Sequence, residues 1–305
     1  MQSFIKRFYI YQKERFPFAT HGLLIAAFSF SAISYSRICR GAEGFIGWQP
    51  YLVCIFNTIG MFLLLRICDE HKDAEDDKLY RSYLPVPRGI ISLKELKNIG
   101  FFVAGLQITV QIFTYPNMLI LYFVAMLYMM LMLKEFFIVE WLRKRQFWYV
   151  VSHMLIIPLV DIYASGYDWF LAGETAPKGL LFFFLVSFMS GIVLEIGRKI
   201  KTPEKEEPGV VSYTNLMGHK KAPVYWILCL FGSMLLAMAA CYYAHYNIIP
   251  YIILAILFIS CSIPALMFRN NMQTKYAKQI EISSGIWSLC MYLILGAGPM
   301  IGKLI

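Results

Sequence analysis

Residues able to do chemistry gather in two ionic stretches of this 305-residue chain, each directly behind a long apolar run. The first reads Arg66-Ile67-Cys68-Asp69-Glu70-His71-Lys72-Asp73-Ala74-Glu75-Asp76-Asp77. If the preceding helix continues, Arg66, Asp69, Asp73 and Asp76 fall at i, i+3, i+7 and i+10, one stripe. Carboxylates at that spacing repel one another by roughly 0.2–0.5 kcal/mol, and by more where the dielectric falls at a membrane edge. Three on one stripe favour a bound cation, and hard oxygen ligands beside a phosphate-bearing substrate suit Mg²⁺. The same stripe is equally readable as a solvated acidic face neutralised by Arg66, His71 and Lys72. Just beyond it, Arg81-Ser82-Tyr83-Leu84-Pro85-Val86-Pro87-Arg88-Gly89-Ile90-Ile91-Ser92 is a proline-stiffened basic turn. Carboxylates beside fixed guanidinium groups resemble the two halves of a metal–diphosphate clamp.

The second stretch runs from Glu195 through Arg198, Lys199 and Lys201 to Glu204, Glu206 and Glu207. Glu195, Arg198 and Lys199 share a helix face at i, i+3 and i+4, and Gly191, one turn earlier, leaves room for a close neighbour. A snorkelling helix end whose ions pair among themselves, followed by an acidic surface loop, reads the same way.

The elements that must position these stretches are membrane helices. Hydrophobic residues make up 59% of the chain and charged residues 15%, with a mean hydropathy of +0.58. Soluble domains run nearer ~45–50% and ~25%, so soluble-enzyme classes are excluded. Nine stretches approach the ~20 apolar residues that cross a bilayer: 17–36, 50–68, 94–114, 116–133, 148–166, 178–197, 222–244, 247–268 and 284–302. The expectation is an all-α polytopic membrane protein forming one transmembrane domain over 1–305. Its two ionic stretches, 126 residues apart from Asp69 to Glu195, suggest pseudo-repeat halves near 17–133 and 148–268, plus a final helix.

Orientation follows from the basic residues. With the N-terminus in the cytoplasm, 24 of the 28 Lys and Arg fall inside, leaving Arg37, Arg40, Lys178 and Lys303 outside. That bias fits the positive-inside rule, with an odd number of spans and an external C-terminus in the cell (inner) membrane. The net charge of +9 therefore marks a membrane face rather than a nucleic-acid partner. The seven cysteines form no C-x-x-C pair and fall almost wholly within apolar runs, as small buried hydrophobes do. Inside the spans, Asp161 is either functional, as intramembrane ionisable groups usually are, or hydrogen-bonded near the outer water layer. His21 and His153 read as satisfied polar residues between helices.

Nine spans with two acidic mouths, behind the second and sixth helices, resemble the UbiA superfamily of intramembrane prenyltransferases. The matching residues are Asp69-x3-Asp73, and Leu84-Pro85-Val86-Pro87-Arg88-Gly89-x2-Ser92, which parallels the family's Arg-Pro-x-Pro-Ser-Gly turn. Leu142-Arg143-Lys144-Arg145 parallels its Leu-Lys-Arg segment, and Gly209-Val210-Val211-Ser212-Tyr213 through Ala222 parallels the stretch after its second motif. Leu65, Arg66 and Leu84 depart from the pattern, as does Glu195 in place of an aspartate-rich motif. The resemblance implies Mg²⁺-dependent transfer of a prenyl chain from a prenyl diphosphate to a lipophilic or aromatic acceptor at the bilayer. It implies Asp69 and Asp73 as metal ligands, to which the stripe adds Asp76 as a third, and Glu195 as support for a second metal or as the group that orients a basic residue. It also implies Lys72, Arg81, Arg88, Arg198 and Lys199 as diphosphate-holding residues. A transporter or channel would instead require ionisable residues along a route across the membrane, and a non-catalytic protein of the same fold would bind no diphosphate.

Overall fold

The structure, a computed structural model, describes residues 3–302, so Lys303 lies outside the described residues. Those residues form helices and connecting turns without a strand, and nine of the helical segments are long and apolar enough to cross a membrane. The protein is an all-helical integral membrane protein.

An arm, α1 (Phe4–Arg15), precedes α2 (Phe18–Cys39) and α3 (Trp48–Lys72), the first two spans. The short α4 (Ala74–Tyr80) leads into the proline turn and then α5 (Leu93–Thr114). α5 starts where it does because Ser92 and Glu95 form a reciprocal capping box. The Glu95 amide donates to Ser92 Oγ at 3.2 Å, and the Ser92 amide donates to Glu95 Oε2 at 2.9 Å, satisfying two otherwise orphaned donors. α6 (Leu119–Leu133) is the fourth span, followed by the short α7 (Val139–Arg143).

The fifth span is broken into α8 (Gln146–Met154) and α9 (Ile156–Gly166). Pro158 has no N–H for the Met154 carbonyl, so the ladder opens there. α10 (Leu180–Arg198) is the sixth span; the short α11 (Tyr213–Met217) lies in the second ionic loop, before α12 (Ala222–Tyr243) and α13 (Ile249–Asn270). The final span joins α14 (Thr274–Tyr292), a π-helical turn over Leu293–Ala297, and α15 (Gly298–Gly302). It starts ten residues before the expected 284. Thr274–Ser283 carries Lys275, Lys278 and Glu281 on a helix that extends the span beyond its apolar part.

Lipid offers the helices no hydrophobic drive to associate, so polar contacts and close packing hold the bundle. Trp226 Nε1 donates to the Val193 carbonyl at 3.0 Å, Trp287 Nε1 to Ser233 Oγ at 3.1 Å, and Tyr35 OH to the Ala240 carbonyl at 2.9 Å. Cys54, Cys241 and Cys261 are buried among these helices. α3 and α10 both end at the same face, which brings the two ionic stretches to one rim.

Candidate functional site

The rim is built on the end of α3. The helix pauses at Asp73, whose amide still donates to the Asp69 carbonyl at 2.9 Å, and resumes as α4. Asp69 and Asp73, one turn apart, keep side chains 35% and 34% exposed, and their ion-pair contacts are long: 3.9 Å to Arg66 and 3.9 Å to Arg81. The carboxylates between and beyond them are clamped. Glu70, fully buried, accepts from Arg15 at 2.6 Å and Arg66 at 3.1 Å. Asp77, 2% exposed, lies 2.5 Å from Arg81 and 4.0 Å from Arg15. Burial pushes the Asp77 carboxyl above its usual range, against the pull of Arg81.

Asp76, expected on the stripe, is exposed. The change of helix at Asp73 shifts the phase by one residue, so that Asp77 turns inward in its place. Arg88, expected to hold diphosphate, has a partner on α1. It pairs with Glu14 at 2.8 Å, both side chains 38% exposed, and so straps the turn to α1. Arg7 reinforces that strap through Glu95 at 2.6 Å and the Ile90 carbonyl at 3.2 Å.

Lys72 points into the rim. Its Nζ donates to Tyr149 OH at 2.8 Å and lies 3.4 Å from His153 Nε2, with the Tyr149 and His153 rings stacked 4.0 Å apart. Across from it, Glu195 is held by its own helix: Arg198 grips Oε2, and Lys199 reaches Oε1 at 2.6 Å. The two stretches meet. Tyr83 OH, in the first turn, donates to Glu207 of the second loop at 3.1 Å. Gly209, at φ +77°, lies where any side chain would strike the Tyr80 ring. His153 is within electrostatic range of both Asp73 and Glu195, and Asp69 of Arg198. Tyr213, its phenol buried and its pKa raised by that burial, faces Glu195 and Arg198. Glu206 shapes the loop from within, accepting from Ser212 at 2.5 Å and Thr214 at 2.6 Å.

No family model matches the sequence, and no curated protein does. Two solved structures match over nearly their whole lengths. One, of a digeranylgeranylglyceryl phosphate synthase, aligns with a TM-score of 0.61 at 18% identity, covering 97% of this chain and 99% of that one. The other, an apo UbiA homolog from Aeropyrum pernix K1, aligns with a TM-score of 0.66 at 12% identity, covering 92% and 98%. The fold is that of the UbiA proteins.

Within this UbiA fold the donor set suits a divalent cation at one mouth only. Asp69 and Asp73 have lone pairs unspent on short hydrogen bonds, and Mg²⁺ is commonly held by one or two carboxylates together with substrate phosphate. Glu195 has both oxygens engaged by Arg198 and Lys199. Among the described residues no three His, Cys, Asp or Glu side chains converge as a ready-made metal cluster, so any cation there would need phosphate oxygens to complete its shell. Two hollows of about 530 and 310 Å³ flank α1, lined by residues such as Phe8 and Phe18 in one and Phe102 in the other, and neither borders Asp69 or Glu195.

Tyr149 and His153 belong to the rim, although the sequence reads His153 as an inter-helix polar residue. The available signal is their i, i+4 spacing one turn beyond Arg143-Lys144-Arg145. Arg15, Glu70 and Asp77 were visible only as unassigned charges.

Proposed function

We propose that the chain is a divergent UbiA-superfamily prenyltransferase that moves a prenyl group from its diphosphate to a lipophilic acceptor in the membrane. The observation that carries this reading is the meeting, on one rim of a UbiA fold, of a part-exposed carboxylate pair with a cluster of cations. Asp69 and Asp73 would hold Mg²⁺. When bound, Mg²⁺ would neutralise the charge that grows on the departing diphosphate.

Lys72, Arg81, Arg198 and Lys199 are the groups that bind and orient the diphosphate. Lys72 is fixed by Tyr149 and His153, so its ammonium is pre-positioned for the phosphate oxygens, as electrostatic catalysis requires. Glu195 orients Arg198 and Lys199 rather than ligating metal, and Arg88 positions the turn through Glu14. Loss of diphosphate leaves an allylic cation, which the apolar helices shield from water until the acceptor attacks. The basic bias of the rim face supports a cytoplasmic rim with the C-terminus outside.

Purified protein in lipid, given labelled prenyl diphosphates of several chain lengths, Mg²⁺ and a lipid extract as acceptor, tests the reading. A labelled lipophilic product that disappears with chelator and in Asp73→Asn supports it. Absence of both product and diphosphate binding at every chain length, or full activity in Asp69→Ala, refutes it.

A further inference from the structure

Asp161 lies in α9, within the fifth span, and is fully buried. Water does not reach its carboxyl. Neither carboxylate oxygen has a hydrogen-bond partner among the described residues. Of the five other buried carboxylates, Glu70, Asp77, Asp168 and Glu195 each lie against arginine or lysine, and Glu135, just past the end of α6 rather than inside a span, shows no ion pair among the described residues. Asp161 has no such partner.

The surroundings of Asp161 are oxygen-rich. α9 and α10 run antiparallel, and Gly191 of α10 faces Ile157 and Met154. One turn further along each helix, Asp161 stands opposite Ser187. Ser187 and Ser190, three residues apart on α10, are 0% and 1% exposed, and their hydroxyls also lack partners. From the final span, Tyr292 is the titratable neighbour that senses Asp161. The other phenols nearby are engaged elsewhere: Tyr163 OH and Tyr167 OH share a bond at 2.8 Å, and Tyr122 OH donates to Gln107 at 3.2 Å.

The backbone beside Tyr292 is unusual too. The π-helical turn Leu293–Ala297 begins there, with Ser31 Oγ donating to the Tyr292 carbonyl at 2.6 Å and accepting from the Ala297 amide at 3.2 Å. π-turns inside helices recur at functional positions.

A carboxylate this deep does not persist ionised and unpaired. Its neighbours supply oxygens but no fixed positive charge, so the missing partner is a cation. We propose that Asp161, Ser187 and Ser190 form an intramembrane site for a small monovalent cation, a proton or a sodium ion. The site stands about 12 Å along α10 from Glu195 at 1.5 Å per residue, and it does not depend on the prenyl-transfer reading.

Infrared spectra of wild type against Asp161→Asn in lipid nanodiscs test it, across about pH 5 to pH 9 and with NaCl against equimolar choline chloride. For a proton, wild type shows a protonated-carboxyl band that Asp161→Asn lacks and Ser187→Ala displaces. For sodium, NaCl but not choline converts Asp161 to a metal-bound carboxylate signature. It also raises the unfolding temperature in wild type and not in Asp161→Asn. Ser187→Ala leaves the carboxyl in place, so the site remains testable if Asp161→Asn folds poorly. An ionised Asp161 signature indifferent to sodium and to pH overturns the proposal.

Discussion

Asp168 and the Asp69–Asp73 pair sit at opposite ends of the same bundle, and arginines approach both. At the end opposite the rim, Asp168 is fully buried. It accepts from Ser36 Oγ at 2.8 Å, from Arg37 at 3.1 Å and from Arg40 through two bonds at 3.0 and 2.9 Å. Arg37 adds bonds to the Glu43 and Gly44 carbonyls. Both oxygens of Asp168 are taken up by these donors, so the cluster ties α2 to the loop after α9 and leaves that carboxylate nothing for a cation. At the rim, Asp69 and Asp73 are a third exposed and their nearest guanidinium atoms are 3.9 Å away. A saturated cluster stabilises a fold, whereas an unsaturated one can still bind.

The most damaging single change should be Asp168→Ala, which strands Arg37 and Arg40. Breaking a buried pair in this way costs about 3–5 kcal/mol, readable as a large fall in unfolding temperature, with diphosphate affinity unchanged in the protein that remains folded. Asp73→Asn should do the opposite. Its loose, part-exposed pairing is worth under about 1 kcal/mol, while prenyl transfer should fall by about 100-fold or more, the scale of removing a transition-state charge stabiliser. If Asp73→Asn destabilised the protein as much as Asp168→Ala, the contrast between the two ends would fail.

Asp77 sharpens the comparison within the rim. Its carboxyl is held above the ordinary range by burial, so folding takes up a proton there. The associated stability is fully present below the unfolded value of about 3.9 and is lost as pH rises through the folded value. Wild type should therefore gain stability relative to Asp77→Asn as pH falls from neutral toward about 4, measured by thermal unfolding. A gap independent of pH would contradict that effect of burial. The smallest effect belongs to Tyr83→Phe, which deletes the exposed bond to Glu207. About 0.5 kcal/mol is expected, seen as faster proteolysis of the second loop.

Much of this was legible in the chain. Apolar run lengths placed nine spans, because a bilayer sets a length that few other environments demand. The last span's polar start at Thr274 was missed because Lys275, Lys278 and Glu281 hide a helix that projects beyond the apolar slab. At the rim, the one-turn spacing of Asp69 and Asp73 was readable in the chain, while the outward turn of Asp76 and the pairing of Arg88 with Glu14 were not. One depended on a helix change at Asp73 that no residue type announces, the other on Glu14, 74 residues away. The Lys72–Tyr149 bond spans 77 residues and had no local signal either. Asp161 stood out as a charge in an apolar run, but its lack of a partner could be seen only once α10 was packed against it.

The rim account rests on α3 and α10 acting on one ligand. A double-mutant cycle on Mg²⁺-dependent binding of a prenyl diphosphate, using Asp69→Asn, Arg198→Gln and the pair, tests this by isothermal titration in lipid nanodiscs. The account predicts that each substitution weakens the same binding event and that their effects are non-additive by more than about 0.5 kcal/mol, as for residues sharing a partner. Additive effects, or binding that is lost with one substitution and untouched by the other, would contradict it.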